Sequence, residues 1–321
     1  MLKSLPKLAS CSFVLLASAV ASAQNAERGT RNAELREPAA SSSALPPADR
    51  LMGNIIASAR SRESISARLR QKIDVLGQQL VGTGSYQQQG RGEEQKIRLE
   101  LKVQVADQTS SMQQVCDGTF LWTHQDLLDK TALTRIDFRR VREAVWDGGG
   151  RRGRIEQIQL ALCGLPKLLE SLDTAFEFRI VQQDRLDGVP VYVLRGAWRP
   201  EQLAAIYPDP KAKPAEGQGG SPAPGKLPAH APEVMVLLVG RDDLFPYRIE
   251  FRRRIVTDAE TPQRTDATTP LVIMEWFEVA LDTPIDERQF IYRPGDVDFS
   301  DGTDKLLVQM GLGLGKDEKS E

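Results

Sequence analysis

The chain has few of the side chains from which metal sites and catalytic sites are usually built. Its 321 residues include only two histidines, His124 and His230, and three cysteines. Two histidines exclude a multi-histidine metal centre, and we expect neither a metal nor another cofactor. The Gly-x-Ser-x-Gly pattern of a hydrolase nucleophile is also absent. The sequence offers no candidate catalytic residue, so we expect a protein that is not an enzyme.

A surplus of charge of one sign is missing as well. The chain has 42 Lys and Arg residues against 44 Asp and Glu residues. Removing residues 1–23, which contain Lys3 and Lys7, leaves 40 against 44. A protein that binds nucleic acid needs a basic surface, so nucleic acid is not an expected partner.

Long hydrophobic runs are also lacking. The apolar stretch at residues 13–21 is far shorter than the roughly 20 residues of a membrane-spanning helix. It follows Lys3 and Lys7 and leads into the small residues Ala21-Ser22-Ala23. This order predicts a secretory signal peptide over residues 1–23, cleaved before Gln24, and therefore an exported, soluble protein of the cell envelope.

The cysteines leave alternatives open. Leu8-Ala9-Ser10-Cys11 resembles a lipobox, which would make Cys11 a lipid-anchored N-terminus. A lipobox follows the apolar region, whereas this one precedes it, so the order of segments favours cleavage before Gln24. Cys116 and Cys163 remain in the mature chain. They are either a disulfide of an oxidising compartment or two buried thiols.

The rest of the chain is interpreted as one domain between two irregular segments. Residues 24–45 are polar, lack periodicity and are expected to form a flexible tether. The domain covers residues 46–300, and residues 301–321 are expected to form a C-terminal tail. Residues 208–232 contain seven prolines and four glycines. They are interpreted as an insertion within the domain, with a domain boundary as the alternative.

Two periodicities predict the elements of this domain. Apolar residues at helical spacing follow Pro46-Pro47 and predict a helix of about four turns from Ala48. Strict alternation from Ile97 to Val105 predicts a strand with one buried face, and Asp117-Gly118 predicts a hairpin. Further helices are expected at 167–172 and 200–207, a loop at 148–154, and strands at 176–181, 189–195, 235–239, 247–256 and 271–281.

Three motifs resemble the periplasmic carriers of outer-membrane lipoproteins, the LolA/LolB-like family. They are the hairpin Asp117-Gly118-Thr119-Phe120-Leu121-Trp122, the strand start Phe245-Pro246-Tyr247-Arg248-Ile249-Glu250, and the closing segment from Pro284 to Gly295. The resemblance covers about residues 48–299. The chain departs from the family in having His124-Gln125-Asp126 where the carriers have Tyr-x-Pro, and in the additional residues from Trp198 through the proline-rich insertion.

The resemblance implies an α+β fold with a strongly curved antiparallel β-sheet, an incomplete barrel whose concave side is covered by helices. It also implies an apolar cavity that holds acyl chains. Candidates for the family's lid-locking arginine are Arg91 and Arg98. The residues expected to line the cavity are Leu99, Leu101, Val103, Val105, Phe120 and Trp122, with either Val272, Met274 and Trp276 or Ile273, Phe277 and Val279 from the last long strand. Of these two sets, Met274 and Trp276 are the preferred ones.

The leading hypothesis is a monomeric, non-enzymatic periplasmic carrier of lipids or lipidated proteins. Its expected partners are acyl chains, and envelope membrane proteins are further candidates. The alternative is an envelope interaction module with the same fold and a packed, ligand-free interior, which would use the loop at 148–154 and the proline-rich insertion as contact surfaces. An enzyme acting on an envelope substrate is a third and weaker alternative.

Overall fold

The computed structural model describes residues 45–75, 78–105, 108–127, 130–147, 160–207, 227, 231–256 and 264–309. The predicted signal peptide, nearly all of the predicted tether, the loop at 148–154 and most of the proline-rich insertion lie outside these residues.

The described chain forms one sheet of 12 strands and five α-helices. The strands are β1 (Ser64–Val75), β2 (Gln78–Gln89), β3 (Lys96–Val105), β4 (Gln108–Cys116), β5 (Phe120–Leu127), β6 (Lys130–Asp137), β7 (Phe176–Leu186), β8 (Val189–Trp198), β9 (Val234–Gly240), β10 (Pro246–Val256), β11 (Arg264–Leu281) and β12 (Ser300–Asp301). The helices are α1 (Ala48–Ser61), α2 (Phe138–Asp147), α3 (Leu160–Ala175), α4 (Pro200–Ile206) and α5 (Thr303–Gln309).

Two meanders of sequential strands make up the sheet. The first runs from β6 to β1 and the second from β11 to β7, and the pairing of β1 with β11 joins them. Neighbouring strands are antiparallel except for β6 and β12, which are parallel. Because β12 and β7 stand at opposite ends of the strand order, the sheet is an open, incomplete barrel. The predicted α+β fold with a curved antiparallel sheet is confirmed.

Glycines in β2 allow neighbouring strands to approach closely. A Cβ atom added to Gly84 would lie 1.8 Å from the carbonyl oxygen of Glu100 in β3. At Gly82 the added atom would lie 2.9 Å from Val103 Cγ2. Glycine within a strand is typical of such close approaches and of sharply curved sheets.

Helices α1 and α3 pack against one face of the sheet, which we call the inner face. Helix α1 buries one stripe of apolar residues, Leu51, Met52, Ile55, Ile56 and Ala59. This is the spacing from which the helix was predicted. Helix α3 is kinked at Gly164, where the backbone has φ 70°. It is longer than the predicted 167–172, because one turn at residues 160–163 precedes the kink and the helix continues to Ala175.

The chain after β11 crosses the opposite, outer face of the sheet. A short 3₁₀-helix at Glu287–Phe290 packs on β3, and Phe290 is buried there. The chain then adds β12 beside β6 and ends its described part in α5, whose Leu307 packs on Val141 of α2. Residues 301–309 therefore differ from the predicted C-terminal tail. Their few apolar residues gain order by packing on an edge strand and a helix that are distant in sequence.

Asp282 holds the end of β11 to the junction between α1 and β1. Its carboxylate accepts a bond from Arg62 Nη1 at 2.8 Å and another from the backbone N–H of Glu63 at 2.8 Å. The hydrogen bond from Arg62 is the main reason why the pKa of Asp282 lies below its usual value. The charged form is therefore the one that stabilises the fold.

We expect Asp282→Asn to destabilise the protein at pH 7 but much less at pH 3. A carboxyl group with a lowered pKa in the folded state stabilises the fold above its unfolded pKa of about 3.9, and this contribution is lost as the pH falls through the folded pKa. The carboxylate is partly exposed, so solvent screening limits the effect at pH 7 to less than about 1 kcal/mol. Urea denaturation of both proteins at pH 7, 5 and 3 measures the difference. A difference that is equal at all three pH values would contradict the prediction.

Candidate functional site

The inner face is the most extensive apolar surface among the described residues, and all the long strands contribute to it. Strand register aligns its members: Leu69 of β1 lies opposite Trp276 of β11, and Gly84 of β2 lies opposite both Leu69 and Leu101. Its largest buried members, together with the helices that cover them, form one hydrophobic cluster. Representative strand residues of this cluster are Leu69, Ile73, Tyr86, Leu99, Leu101, Val103, Met112, Leu121, Leu194, Met235, Leu237, Ile249, Met274 and Trp276.

Five of the eight predicted lining residues lie together on this face. Leu99, Leu101 and Val103 are 1–2% exposed, and Met274 and Trp276 are equally buried on β11. Val105 ends β3, and its side chain lies outside the described residues. The last long strand therefore presents Met274 and Trp276, the preferred set, to the inner face. Ile273 and Phe277 alternate with them, and Phe277 instead lies beneath the guanidinium of Arg70.

Phe120 and Trp122 lie on the outer face. Strand β5 pairs so that Leu121 lies opposite the buried Cys116, which places the side chains on either side of Leu121 on the other surface of the sheet. There Trp122 stacks on Tyr292 with 5.5 Å between ring centroids, and it contacts Phe299 edge-on at 5.0 Å. The guanidinium of Arg135 lies 4.9 Å from the Phe120 ring centroid. This aromatic cluster fixes the C-terminal segment to the sheet.

A surface ion pair joins the two helices that cover the inner face. Arg60 of α1 donates from Nη2 to Glu170 Oε1 of α3 at 2.6 Å, and Lys167 contacts the same carboxylate at 2.5 Å. The two arginines proposed from the sequence lie elsewhere. Arg91 pairs with Glu63 at 2.6 Å, and Arg98 on the outer face binds Glu100 and the carbonyl oxygen of Gln289. Among these arginines, Arg60 is the one whose ion pair connects α1 with α3.

Buried polar groups attach α3 to the sheet at its kink. The backbone N–H of Leu165 donates to Tyr86 Oη and to Gln88 Oε1, each at 3.1 Å, and Tyr86 Oη donates to Gln88 Oε1 at 2.6 Å. Burial raises the pKa of Tyr86 far above its usual value, so the phenol remains a donor. We call Tyr86, Gln88 and the Gly164-Leu165 backbone the helix anchor.

The inner face also contains a polar residue that sequence reasoning missed. Gln71 of β1 is 1% exposed, and its register partners are Gly82 of β2 and Met274 of β11. The signal was available in the sequence, because Gln71 has the same period-two phase as Leu69 and Ile73. A glutamine in a buried apolar phase is uncommon enough to mark a position for attention.

Cys116 resolves part of the cysteine question. Its thiol is free and buried at the end of β4, and burial raises its pKa to about 11. The side chain of Cys163 lies outside the described residues. Cys116 therefore acts as a small apolar side chain of the inner face.

A polar cleft lies near one end of the sheet, beside the hairpin between β4 and β5. It has a volume of about 530 Å³, and its lining includes Glu94, Lys96, Asp117, Arg142 and Glu287. Two hydrogen bonds close the hairpin, since Asp117 Oδ1 accepts from the N–H groups of Thr119 and Phe120, both at 2.7 Å. Its charged lining contrasts with the apolar inner face.

The described residues contain no group of three or more His, Cys, Asp and Glu side chains arranged to hold a metal ion. None of their helices combines the length and the apolar character needed to cross a membrane.

No family model and no curated protein matches the chain, but solved structures do. A LolA superfamily protein from Nitrosomonas europaea aligns over 77% of this chain and 99% of its own, with 10% identity and a TM-score of 0.26. A LolA superfamily protein is thus one of the solved structures to which this chain is similar.

Two other structures match over a similar part of the chain. A DUF1329 family protein from Desulfovibrio piger aligns over 77% of this chain and 98% of its own, with 12% identity and a TM-score of 0.32. A chain in the structure of the Pseudomonas aeruginosa MucA/MucB complex aligns over 76% of this chain and 60% of its own, with 12% identity and a TM-score of 0.35.

Proposed function

We propose that this protein is a non-enzymatic periplasmic carrier that holds the acyl chains of lipids or lipidated proteins against the inner face. The observation that supports the proposal most directly is the continuity of this apolar face across both meanders, from Leu101 in one to Leu237 in the other. A surface that extends over neighbouring strands has the length and the character that an acyl chain needs.

The hydrophobic effect is sufficient for such binding. Each methylene group transferred from water gains about 0.8 kcal/mol, so ten buried methylenes gain about 8 kcal/mol. Loss of ligand freedom and displacement of the helices reduce this gain. No catalytic side chain is required for binding of this kind.

The attachment of the helices provides the route of entry. Helices α1 and α3 cover the inner face, and the ion pair of Arg60 with Glu170 and the helix anchor are polar links that can open without disrupting the sheet. An acyl chain would enter by replacing apolar helix side chains on the inner face.

A packed interaction module is the second candidate, favoured by the near-complete burial of the inner face. Leu69 is 0% exposed and Leu101 is 2% exposed beneath the helices. If the helices never separate, this face is an ordinary core and the protein acts through its outer surfaces. Ligand content distinguishes the two candidates.

Native mass spectrometry of the mature protein, purified from the periplasm of its own cells, is the first test. The carrier should retain a stoichiometric acyl-chain ligand that organic extraction releases, or should take up a fluorescent fatty acid when empty. A protein that contains no lipid and takes up no fluorescent fatty acid would overturn the carrier proposal and favour the packed module.

We expect Leu101→Arg to lower fatty acid uptake at least tenfold, because an unpaired guanidinium on the inner face opposes an apolar ligand. Lys102→Arg is the matched control, since it places the same side chain one residue away on the exposed face of β3. Leu101→Phe adds volume without charge and tests the same site if the arginine variant does not fold. Uptake that is equal in the Leu101 variants and in Lys102→Arg would place the ligand elsewhere.

A further inference from the structure

Gln71 is a buried amide without a hydrogen-bond partner among the described residues. Neither its Oε1 nor its Nε2 atom is bonded, although the residue is 1% exposed in the middle of β1. Buried side-chain amides in folded proteins are nearly always hydrogen-bonded, because an unpaired donor or acceptor destabilises the fold. The position therefore calls for a physical explanation.

A second unpaired donor lies on the neighbouring strand. Trp276 is 2% exposed, and its Nε1 atom also lacks a partner in the described part of the chain. Gln71 pairs with Met274, so Trp276 is its diagonal neighbour on the same face of the sheet. Diagonal neighbours are close enough for long side chains to reach a common group.

On its other side, Gln71 faces a strand that carries no side chain at the two nearest inner-face positions. Its register partner on β2 is Gly82, and the next inner-face position of β2 is Gly84. Along β1, Gln71 is flanked on this face by the apolar Leu69 and Ile73. An amide and an indole N–H thus lie together within an apolar surface, next to two residues without side chains.

We propose that Gln71 and Trp276 bind the neutral carbonyl group of an acyl ester or acyl amide. This inference rests on the proposed carrier function and specifies the ligand class. The Nε2 group of Gln71 and Nε1 of Trp276 donate to the ligand's carbonyl oxygen, while Gln71 Oε1 accepts from an amide N–H or a hydroxyl group of the ligand.

The chemistry favours a neutral group over a carboxylate. Glu250 is the single charged residue among the buried polar residues of the described chain, and it pairs with Arg248 and Arg252 rather than with Gln71. A fatty acid anion at Gln71 would lose its hydration without gaining a cation. Esters and amides of fatty acids carry no such penalty.

The test compares matched probes and matched variants. Displacement of a fluorescent fatty acid methyl ester gives dissociation constants for methyl hexadecanoate, hexadecane and hexadecanoate. The variants are Gln71→Met, which keeps the length of the side chain, and Trp276→Phe. Gln79→Met, at an exposed position of β2, is the control for the substitution itself.

We expect the wild-type protein and Gln79→Met to prefer methyl hexadecanoate to hexadecane. Gln71→Met should reduce this preference at least tenfold, and Trp276→Phe should reduce it several-fold. The ligand-free Gln71→Met protein should also have a higher Tm, because the unpaired amide is gone. Two variants on different strands keep the test valid if one of them does not fold.

Dipalmitoylglycerol and a dipalmitoylated lipopeptide distinguish the two sources of an acyl ester. If one of these two ligands binds more tightly than the other, and Gln71→Met weakens that binding, the result supports the inference. Tighter binding of dipalmitoylglycerol identifies a lipid as the source, and tighter binding of the lipopeptide identifies a lipidated protein. Binding of all probes with a preference that Gln71→Met does not change would overturn the inference and leave the carrier function intact. Binding of none of the probes would overturn the carrier function itself.

Discussion

Gly84→Ala should lower the free energy of unfolding by more than about 3 kcal/mol, the upper end of the usual cost of overpacking. The added Cβ atom would lie 1.8 Å from the carbonyl oxygen of Glu100. A carbonyl oxygen cannot rotate away as a side chain can. Strands β2 and β3 must therefore separate where Gly84 pairs with Leu101. Urea denaturation monitored by circular dichroism measures the loss.

Gly53→Ala is the control for this prediction. Gly53 lies on the exposed side of α1, and a Cβ atom added there has nothing within 4 Å. Alanine within a helix is about 0.5–1 kcal/mol more favourable than glycine, so this variant should be stabilised. Equal unfolding midpoints for Gly84→Ala and the wild type would show that β2 tolerates a side chain at this position.

Gly164→Ala should destabilise the protein by about 3 kcal/mol, a sum of backbone strain and disrupted hydrogen bonds. The backbone at Gly164 has φ 70°, which residues other than glycine rarely adopt. The added Cβ atom would also lie 2.7 Å from Gln88 Oε1 and 2.8 Å from the side-chain amide of Gln95. The substitution therefore acts on the helix anchor as well as on the kink.

Gly188→Ala separates these two contributions. Gly188, in the turn between β7 and β8, has φ 87° and open space around an added Cβ atom. This variant should lose only the strain of about 1–2 kcal/mol for a left-handed backbone. Hydrogen exchange of the Leu165 amide should accelerate in Gly164→Ala and not in Gly188→Ala. Equal losses of stability and unchanged exchange would mean that the anchor adds nothing.

Local patterns predicted several elements, though not α2, because the signals act over short distances. The stripe from Leu51 to Ala59 predicted α1, the alternation from Ile97 to Val105 predicted β3, and Asp117-Gly118 predicted the hairpin that the structure contains. The extent of α3 could not be predicted, because its kink depends on partners in β2 that are distant in sequence. The same is true of α5, which is ordered by contacts with α2 and β6.

The candidate site was only partly predictable because alternation does not say which face is concave. In β3 the apolar residues, Leu101 among them, occupy a single phase, whereas β5 and β11 have apolar residues in both phases. The resemblance predicts Phe120 and Trp122 in the cavity lining, whereas the strand register places Leu121 on the inner face. Gln71 was overlooked because polar residues in a strand are normally interpreted as solvent-facing.

The seam between the two meanders has a kinetic consequence. Each meander closes by contacts between successive strands, but the pairing of Ile65 with Leu281 joins positions more than 200 residues apart. Such long-range contacts form slowly, because the entropy of a large loop must be lost first. Because the chain is synthesised from its N-terminus, its first meander can fold early. One edge of β1, however, stays unpaired until β11 has been made. During that interval the nascent protein exposes a long strand edge, so its period of greatest aggregation risk ends only with the last fifth of the sequence.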